Sequence, residues 1–501
     1  MGAFDSGVAD GAGAYSRPPS LHMIHFLSSD RARPGTLFAL AGSIVFACST
    51  PTTAPVPGPT PARIEALLDT VQQRTFAFFW ERSSPETGLT PDRWPTPSFS
   101  SIAAVGFALT AYPVGAEAGY VTRDAAAQRT LATLRFFWQL PQGPGAAGTG
   151  GYHGFFYHFV DQATGLRYQT VELSTVDTAL LLAGVLFVQQ YFDRSDGAEP
   201  AIRAYADSLY RRTDWTWAQP RPPLIAMGWT PESGFHQLDW RGYDEAMLVY
   251  LLALGSPTHA IAPEAWPAWA STYQWGTYYG QAHVGFAPLF GHHYSHVWFD
   301  FRGIADAYMR SRGIDYAENT RRATYAQRGY AMANPDGWAG YGADVWGLSA
   351  SDGPADVTVP VGGKQRRFFT YAARGADFTE VRDDGTLAPT AAAGSLPFAP
   401  EIVGPALATM RDRYGDGLFG QYGFLDAFNP TWQWADPKAA MGRLLPGKGW
   451  FDTDYLGIDE GPIVAMIANY RGELVWKYMR KSPYVVQGLK RAGFTGGWLG
   501  Q

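Results

Sequence analysis

The chain has 501 residues, 46% hydrophobic and 17% charged, a globular make-up with room for one large core or two ordinary ones. Its 39 Lys and Arg against 45 Asp and Glu leave a net charge of -6, so nothing would neutralise phosphates and nucleic acid is not an expected partner. A single cysteine excludes an internal disulfide and a multi-thiolate metal site.

Residues 1–47 read as an N-terminal extension and a lipoprotein-type signal. Arg31 and Arg33 precede an apolar run from Gly35 to Ala47, well short of the roughly 20 residues that span a bilayer. The run ends in Val45-Phe46-Ala47-Cys48, so cleavage before Cys48 and lipidation of its thiol are expected. That places the mature chain in the periplasm or cell envelope, touching membrane only through the lipid. Residues 48–61, rich in Pro and Thr, read as a stiff tether. Residues 62–501 read as one domain.

From there two kinds of helix alternate. Amphipathic patterns run over 63–82, 123–140, 201–210, 263–275 and 316–332; in the third, Ile202, Tyr205, Ala206, Leu209 and Tyr210 recur at helical spacing. Apolar nearly all round are 179–188 and 246–254, and segments starting near Ser100, Phe301, Glu401 and Gly461 complete a buried set. Buried helices interleaved with amphipathic ones predict an all-α fold, an α/α toroid of six hairpins in two concentric layers. Two long stretches, 150–171 and 337–400, interrupt the rhythm and read as loops bearing β-hairpins on the functional face.

Polar or acidic residues open the expected inner helices: Ser174 to Asp177, Asp244-Glu245, Asp300, Glu401 and Asp459-Glu460. Inner helices of a toroid run parallel, so these openings are expected to converge on one rim. Carboxylates around an apolar, aromatic hollow suit glycoside hydrolysis, in which one acid protonates the leaving oxygen and a second activates water or attacks the sugar. Asp177 also fits a helix cap, following Ser174 by three residues. Glu245 and Glu460 each follow an Asp able to cap, which frees the glutamate for chemistry. Glu172 is a reserve candidate. Arg93, Trp94, His153, His292, Tyr341, Tyr422, Trp434 and Asp459 are candidate substrate contacts, the aromatic rings as stacking platforms for sugars. The histidines of 292–296 have spacings that a metal could use, but without H-E-x-x-H no metal or cofactor is expected.

The segments Gly417-Leu-Phe-Gly-Gln-Tyr-Gly-Phe-Leu-Asp-Ala-Phe-Asn-Pro430, Gly457-Ile-Asp-Glu-Gly-Pro-Ile463 and Asn469-Tyr-Arg-Gly-Glu-Leu-Val-Trp476, with Val171 to Ala179 and Asp244 to Met247, carry a resemblance. They resemble the bacterial glucoamylase-like domain and, within it, glycoside hydrolase family 144. The resemblance implies an α/α barrel that cleaves β-1,2-glucan, internally or by releasing sophorose from an end, with inversion at the anomeric carbon. It implies cleft carboxylates at Asp177 and Glu245, with Glu460 facing the same cleft, and raises Asp177 to the rank of the glutamates. Glu245 is then the expected acid, and Asp177 or Glu460 the base; Glu172 stays open as the first carboxylate. The partner is an oligo- or polysaccharide and the chain a monomer. Rival readings are a transglycosylase or lyase on the same fold, or a non-catalytic glycan-binding lipoprotein.

Overall fold

Helix formation starts as the proline-rich stretch ends. Thr60 caps the first helix by accepting the Arg63 amide, and Pro61 occupies its first turn, where a missing N–H does no harm. The computed structural model describes residues 59–500; the expected extension, signal and nearly all of the tether lie outside them. The helices are α1 (Pro61–Arg82), α2 (Ile102–Glu117), α3 (Arg123–Gln139), α4 (Thr175–Tyr191), α5 (Glu199–Arg211), α6 (Met247–Gly255), α7 (Ala265–Ala270), α8 (Tyr294–Trp298), α9 (Ala307–Arg312), α10 (Tyr316–Ala333), α11 (Pro389–Ala393), α12 (Pro400–Tyr414), α13 (Gly457–Gly472), α14 (Leu474–Met479) and α15 (Pro483–Arg491).

They form an α/α toroid. Every residue of α6 and α8 is buried, as are nearly all of α2, α4 and α13. These pack side by side, α2 on α4, α4 on α6, α6 on α8, α8 on α13, and α13 back on α2. Around them lie α1, α3, α5 and α12, with α15 behind α6. The α2–α4 crossing is close because glycines meet there: a Cβ on Gly184 would stand 2.2 Å from the Gly106 carbonyl oxygen, and one on Gly106 would stand 2.4 Å from that of Leu180. At the junction of α13 with α2, a Cβ on Gly461 would strike the Phe107 ring.

Two members of the expected buried set are replaced. The helix after Phe301, α9, buries only Met309, and the inner position belongs to α8, whose histidines are neutral partners: His296 bonds Thr320 at 3.0 Å, and His293, just before the helix, bonds Ser395 at 2.9 Å. Likewise α12 is a half-wet outer helix with Glu401 paired to Arg321 at 2.7 Å, while the small-residue α11 takes the inner place. Neither five-residue helix is long enough to display a period.

Short antiparallel pairings aim the helix starts. Leu173–Ser174, the middle strand of a five-stranded sheet, runs straight into α4. Ser100–Ser101 pairs with Phe159–Val160 beside the start of α2, and Arg93–Trp94 pairs with Tyr455–Leu456 beside the start of α13. Both long loops carry hairpins, 151–157 and 358–367. No helix among the described residues is long and apolar enough to cross a membrane.

Candidate active site

One side of the candidate site is built on the starts of α4 and α6. Ser174 is the N-cap of α4: its hydroxyl accepts the Asp177 amide at 3.2 Å and donates to the Asp177 carboxylate at 2.5 Å. The oxygen that joins the cap, Asp177 Oδ2, also faces His158. His158, which follows the strand Phe155–Tyr157, places Nδ1 2.8 Å from Glu172 Oε1 and Nε2 3.5 Å from Asp177 Oδ2. Burial works against a charged imidazole, but Asp177 and Glu172 outweigh it and push His158 up to about 9. Burial leaves Asp177 above its ordinary value although His158 and Ser174 pull it down, and Glu172 ends below its ordinary value because of His158.

Glu245 stands next to this group. Asp244 accepts the Ala246 amide at 2.9 Å and the Trp269 indole N–H at 3.2 Å, so the turn into α6 is satisfied without Glu245. Burial, then the charges of Asp177 and Asp244, push the Glu245 carboxyl up to about 8.

The opposite wall is richer in acid. Arg93 Nη1 lies 2.6 Å from Asp352 Oδ2 and 3.8 Å from Asp454 Oδ2, and its Nε lies 3.4 Å from Asp92. Asp426 takes the Asp352 amide at 2.8 Å and faces Asp459 in the first turn of α13. Burial and neighbouring carboxylates push Asp459 up to about 8 and raise Asp426 well above the usual range. Ligand atoms of Asp352, Asp452 and Asp454 come within 4.8 Å of one another, close enough to hold a cation. The Arg93 guanidinium already supplies positive charge there. Tyr294, the first residue of α8, joins the two walls: its buried hydroxyl feels Asp459 and Tyr371 on one side and Glu245 and Asp177 on the other.

The structure thus gathers Asp177, Glu245, Glu172, Arg93 and Asp459. Glu460, next along α13, is buried with its carboxyl toward Thr75 of α1 and within reach of the Asp426 charge, and burial raises its pKa well above the usual range. Successive helical residues point about 100° apart, so Asp459 and Glu460 cannot share a direction. Of the other expected inner-helix openings, Asp300 is tied to Arg302 and Arg480, and Glu401 to Arg321.

The aromatic candidates divide similarly. Trp94 borders the pocket beside Arg93, packed on Tyr422 and Tyr455 with Arg82 over its ring. Tyr422 is buried and donates to Glu81 at 2.7 Å. Tyr341 donates to Asp383 at 2.7 Å, and Trp434 packs on Trp432 and Phe368 in a separate small core. His153 stacks on Trp217 near Asp214, and His292 is buried with Nε2 on the Phe286 carbonyl. Sequence reasoning did not find His158, Asp92, Asp352, Asp426, Asp452, Asp454, Tyr294 and Tyr371. The Asp452-Thr-Asp454 doublet was the visible signal; Tyr294 opens a helix too short to show a period, and the rest sit on strand ends and loops with no telling spacing.

Residues 237–483 match the family model described as "Putative glucoamylase". A crystal structure described as a putative glucoamylase from Bacteroides uniformis is 33% identical, with a TM-score of 0.74 over 87% of this chain and 98% of that one. The endo-beta-1,2-glucanase from Chitinophaga pinensis, solved with sophorotriose and glucose, is 28% identical with a TM-score of 0.73 over 87% and 99%. A curated relative, the exo beta-1,2-glucooligosaccharide sophorohydrolase (non-reducing end) of Parabacteroides distasonis, is 30% identical over 470 residues. The match takes in 86% of this chain but spans 58% of that relative's length.

Proposed function

The chain belongs to the glucoamylase-like family, and we propose that it is a glycoside hydrolase cleaving β-1,2-glucan by an inverting acid/base mechanism. The observation that carries this reading is the pair Asp177 and Glu245 at the starts of α4 and α6: burial raises both carboxyl groups, Glu245 to about 8, but Asp177 has His158 and Ser174 against it to favour its charged form while Glu245 has no such partner. Glu245, held protonated to about pH 8, gives its proton to the departing glycosidic oxygen, directly or through a substrate hydroxyl. Asp177, whose charged form His158 and Ser174 favour against burial, takes a proton from the water that adds to the opposite face of the anomeric carbon. Glu460 has no part in this scheme, because its carboxyl lies against α1. The substrates named for the relatives from Chitinophaga pinensis and Parabacteroides distasonis support the linkage.

The finer architecture follows. The six hairpins pair the inner helices α2, α4, α6, α8, α11 and α13 with outer partners, and the hairpin-bearing loops stand at the face where these helices start. The domain over 62–501 acts as a monomer, lipid-anchored through Cys48 in the periplasm or cell envelope; the signal before Cys48 supports this placement.

The test is incubation with linear β-1,2-glucan beside β-1,3-, β-1,4- and α-1,4-glucans, reading product sizes over time and the anomer formed first by NMR. New reducing ends from β-1,2-glucan alone, born inverted, are expected. Cyclic or longer products, unsaturated ends or binding without turnover would overturn the reading.

A further inference from the structure

His158 is a residue for which the acid/base scheme has so far required no role beyond charge. Its backbone is fixed on both sides, the amide donating to the Glu172 carbonyl at 3.0 Å and the carbonyl accepting the Ile102 amide at 3.3 Å. Its ring lies on Phe159, with centroids 3.8 Å apart and planes 24° apart. So held, it has little freedom to turn.

Both ring nitrogens face carboxylate oxygens, Glu172 at 2.8 Å and Asp177 at 3.5 Å. A neutral imidazole has one N–H and one bare lone pair, so one of these contacts would set a lone pair against an anion. With both partners ionised, only the doubly protonated ring satisfies both. The charged groups around it point the same way: Asp92 from the strap before the Ser100–Ser101 strand, and Glu172 and Asp177 from the start of α4; Glu245 at the start of α6 faces it as a protonated acid. A second imidazole, His236, also lies near Glu172.

We propose that His158 is a positioning residue that stays an imidazolium throughout turnover and keeps Asp177 a carboxylate, so that the two acids of the pocket hold different protonation states. The proposal rests on the acid/base reading above. In the step it supports, Asp177 gains the water proton, Glu245 loses its own to the leaving oxygen, and exchange with solvent restores both; His158 neither gains nor loses a proton. The raised pKa of His158 agrees with this.

The first test needs no substrate. In the unmodified protein, nitrogen-15 NMR of the histidine side chains should find one imidazole doubly protonated at pH 7.5, with that signal missing in His158→Gln. A neutral ring there overturns the proposal whether or not β-1,2-glucan is the substrate. The second test is the pH profile of kcat/KM on linear β-1,2-glucan. His158→Gln should move the acidic limb upward by about one pH unit and lower kcat about tenfold to a hundredfold, with KM changed little. A merely structural histidine would lower thermal stability and leave the limb in place, which also overturns the proposal. If the unmodified protein does not act on β-1,2-glucan, the functional reading fails while the NMR result still decides the state of His158.

Discussion

Asp244 and Glu245 are adjacent in the chain and take opposite tasks: Asp244 binds the Ala246 amide and the Trp269 indole, while Glu245 carries no hydrogen bond to the protein among the described residues. A half-buried carboxyl left without protein partners is available to a substrate. Glu245→Gln should keep the fold and lower kcat on β-1,2-glucan by about 100-fold to 10,000-fold, the usual worth of a general acid. Near-normal turnover would remove Glu245 from the mechanism.

The same group makes activity and stability depend on pH in a defined way. Turnover should fall as pH rises through about 8, where Glu245 loses its proton. For stability the folded pKa lies above the unfolded 4.5, so the native state binds the proton more tightly. Stability is therefore lost as pH climbs from 4.5 to about 8 and is level above that. Glu245→Gln removes this slope, and its melting temperature should exceed that of the parent at pH 8 but not at pH 4; equal melting at both would contradict the burial argument.

Glu460→Gln is expected to leave turnover within a few-fold of normal. The buried carboxyl is already neutral against Thr75, and glutamine reproduces its shape. Asp459→Asn, one residue earlier but in the acid-rich wall, should depress kcat/KM by tenfold or more, about the loss expected when a hydrogen bond to a charged group is removed. Kinetics on the two variants side by side check this, and a reversed order would return Glu460 to the cleft.

Arg93 neutralises a wall of buried carboxylates. Arg93→Met should destabilise the fold by about 3–5 kcal/mol at neutral pH, because it strands buried charge. Part of the loss should return on acidification, as Asp352 and its neighbours take up protons and no longer need a cation. Urea unfolding at pH 5 and pH 7.5 measures the difference; an equal deficit at both would mean that Arg93 acts through packing alone.

Gly184→Ala should be poorly tolerated. The added carbon would meet a backbone oxygen of α2 at 2.2 Å, and neither helix can yield without opening the inner layer. A loss of about 1–3 kcal/mol or more is expected from such overpacking, read as a lower urea midpoint. The equivalent change at Gly197, where nothing lies within 4 Å but φ is +62°, tests backbone strain rather than collision.

The long helices were legible because they repeat: α1, α3, α5 and α10 display one apolar stripe, and α2, α4, α6 and α13 are apolar all round. The inner positions of α8 and α11 were not, since five residues cannot establish a period and their burial comes from what surrounds them. At the site, carboxylates at helix starts stood out from spacing, and Asp244 does occupy the turn. Direction was the illegible part: nothing in Asp459-Glu460 says which of the two faces the hollow. His158 and Asp426 owe their places to strand pairings between distant segments, a relationship that local pattern does not carry.

The docking of α13 against α1 and α2 has a temporal meaning. Ribosomes deliver those partners early and α13 late, so the wall holding Asp459 is absent while most of the polypeptide already exists. Competence toward substrate should then arrive abruptly, when the circle shuts at Phe107 and Gly461, and fragments that end before α13 should be inert rather than weakly active.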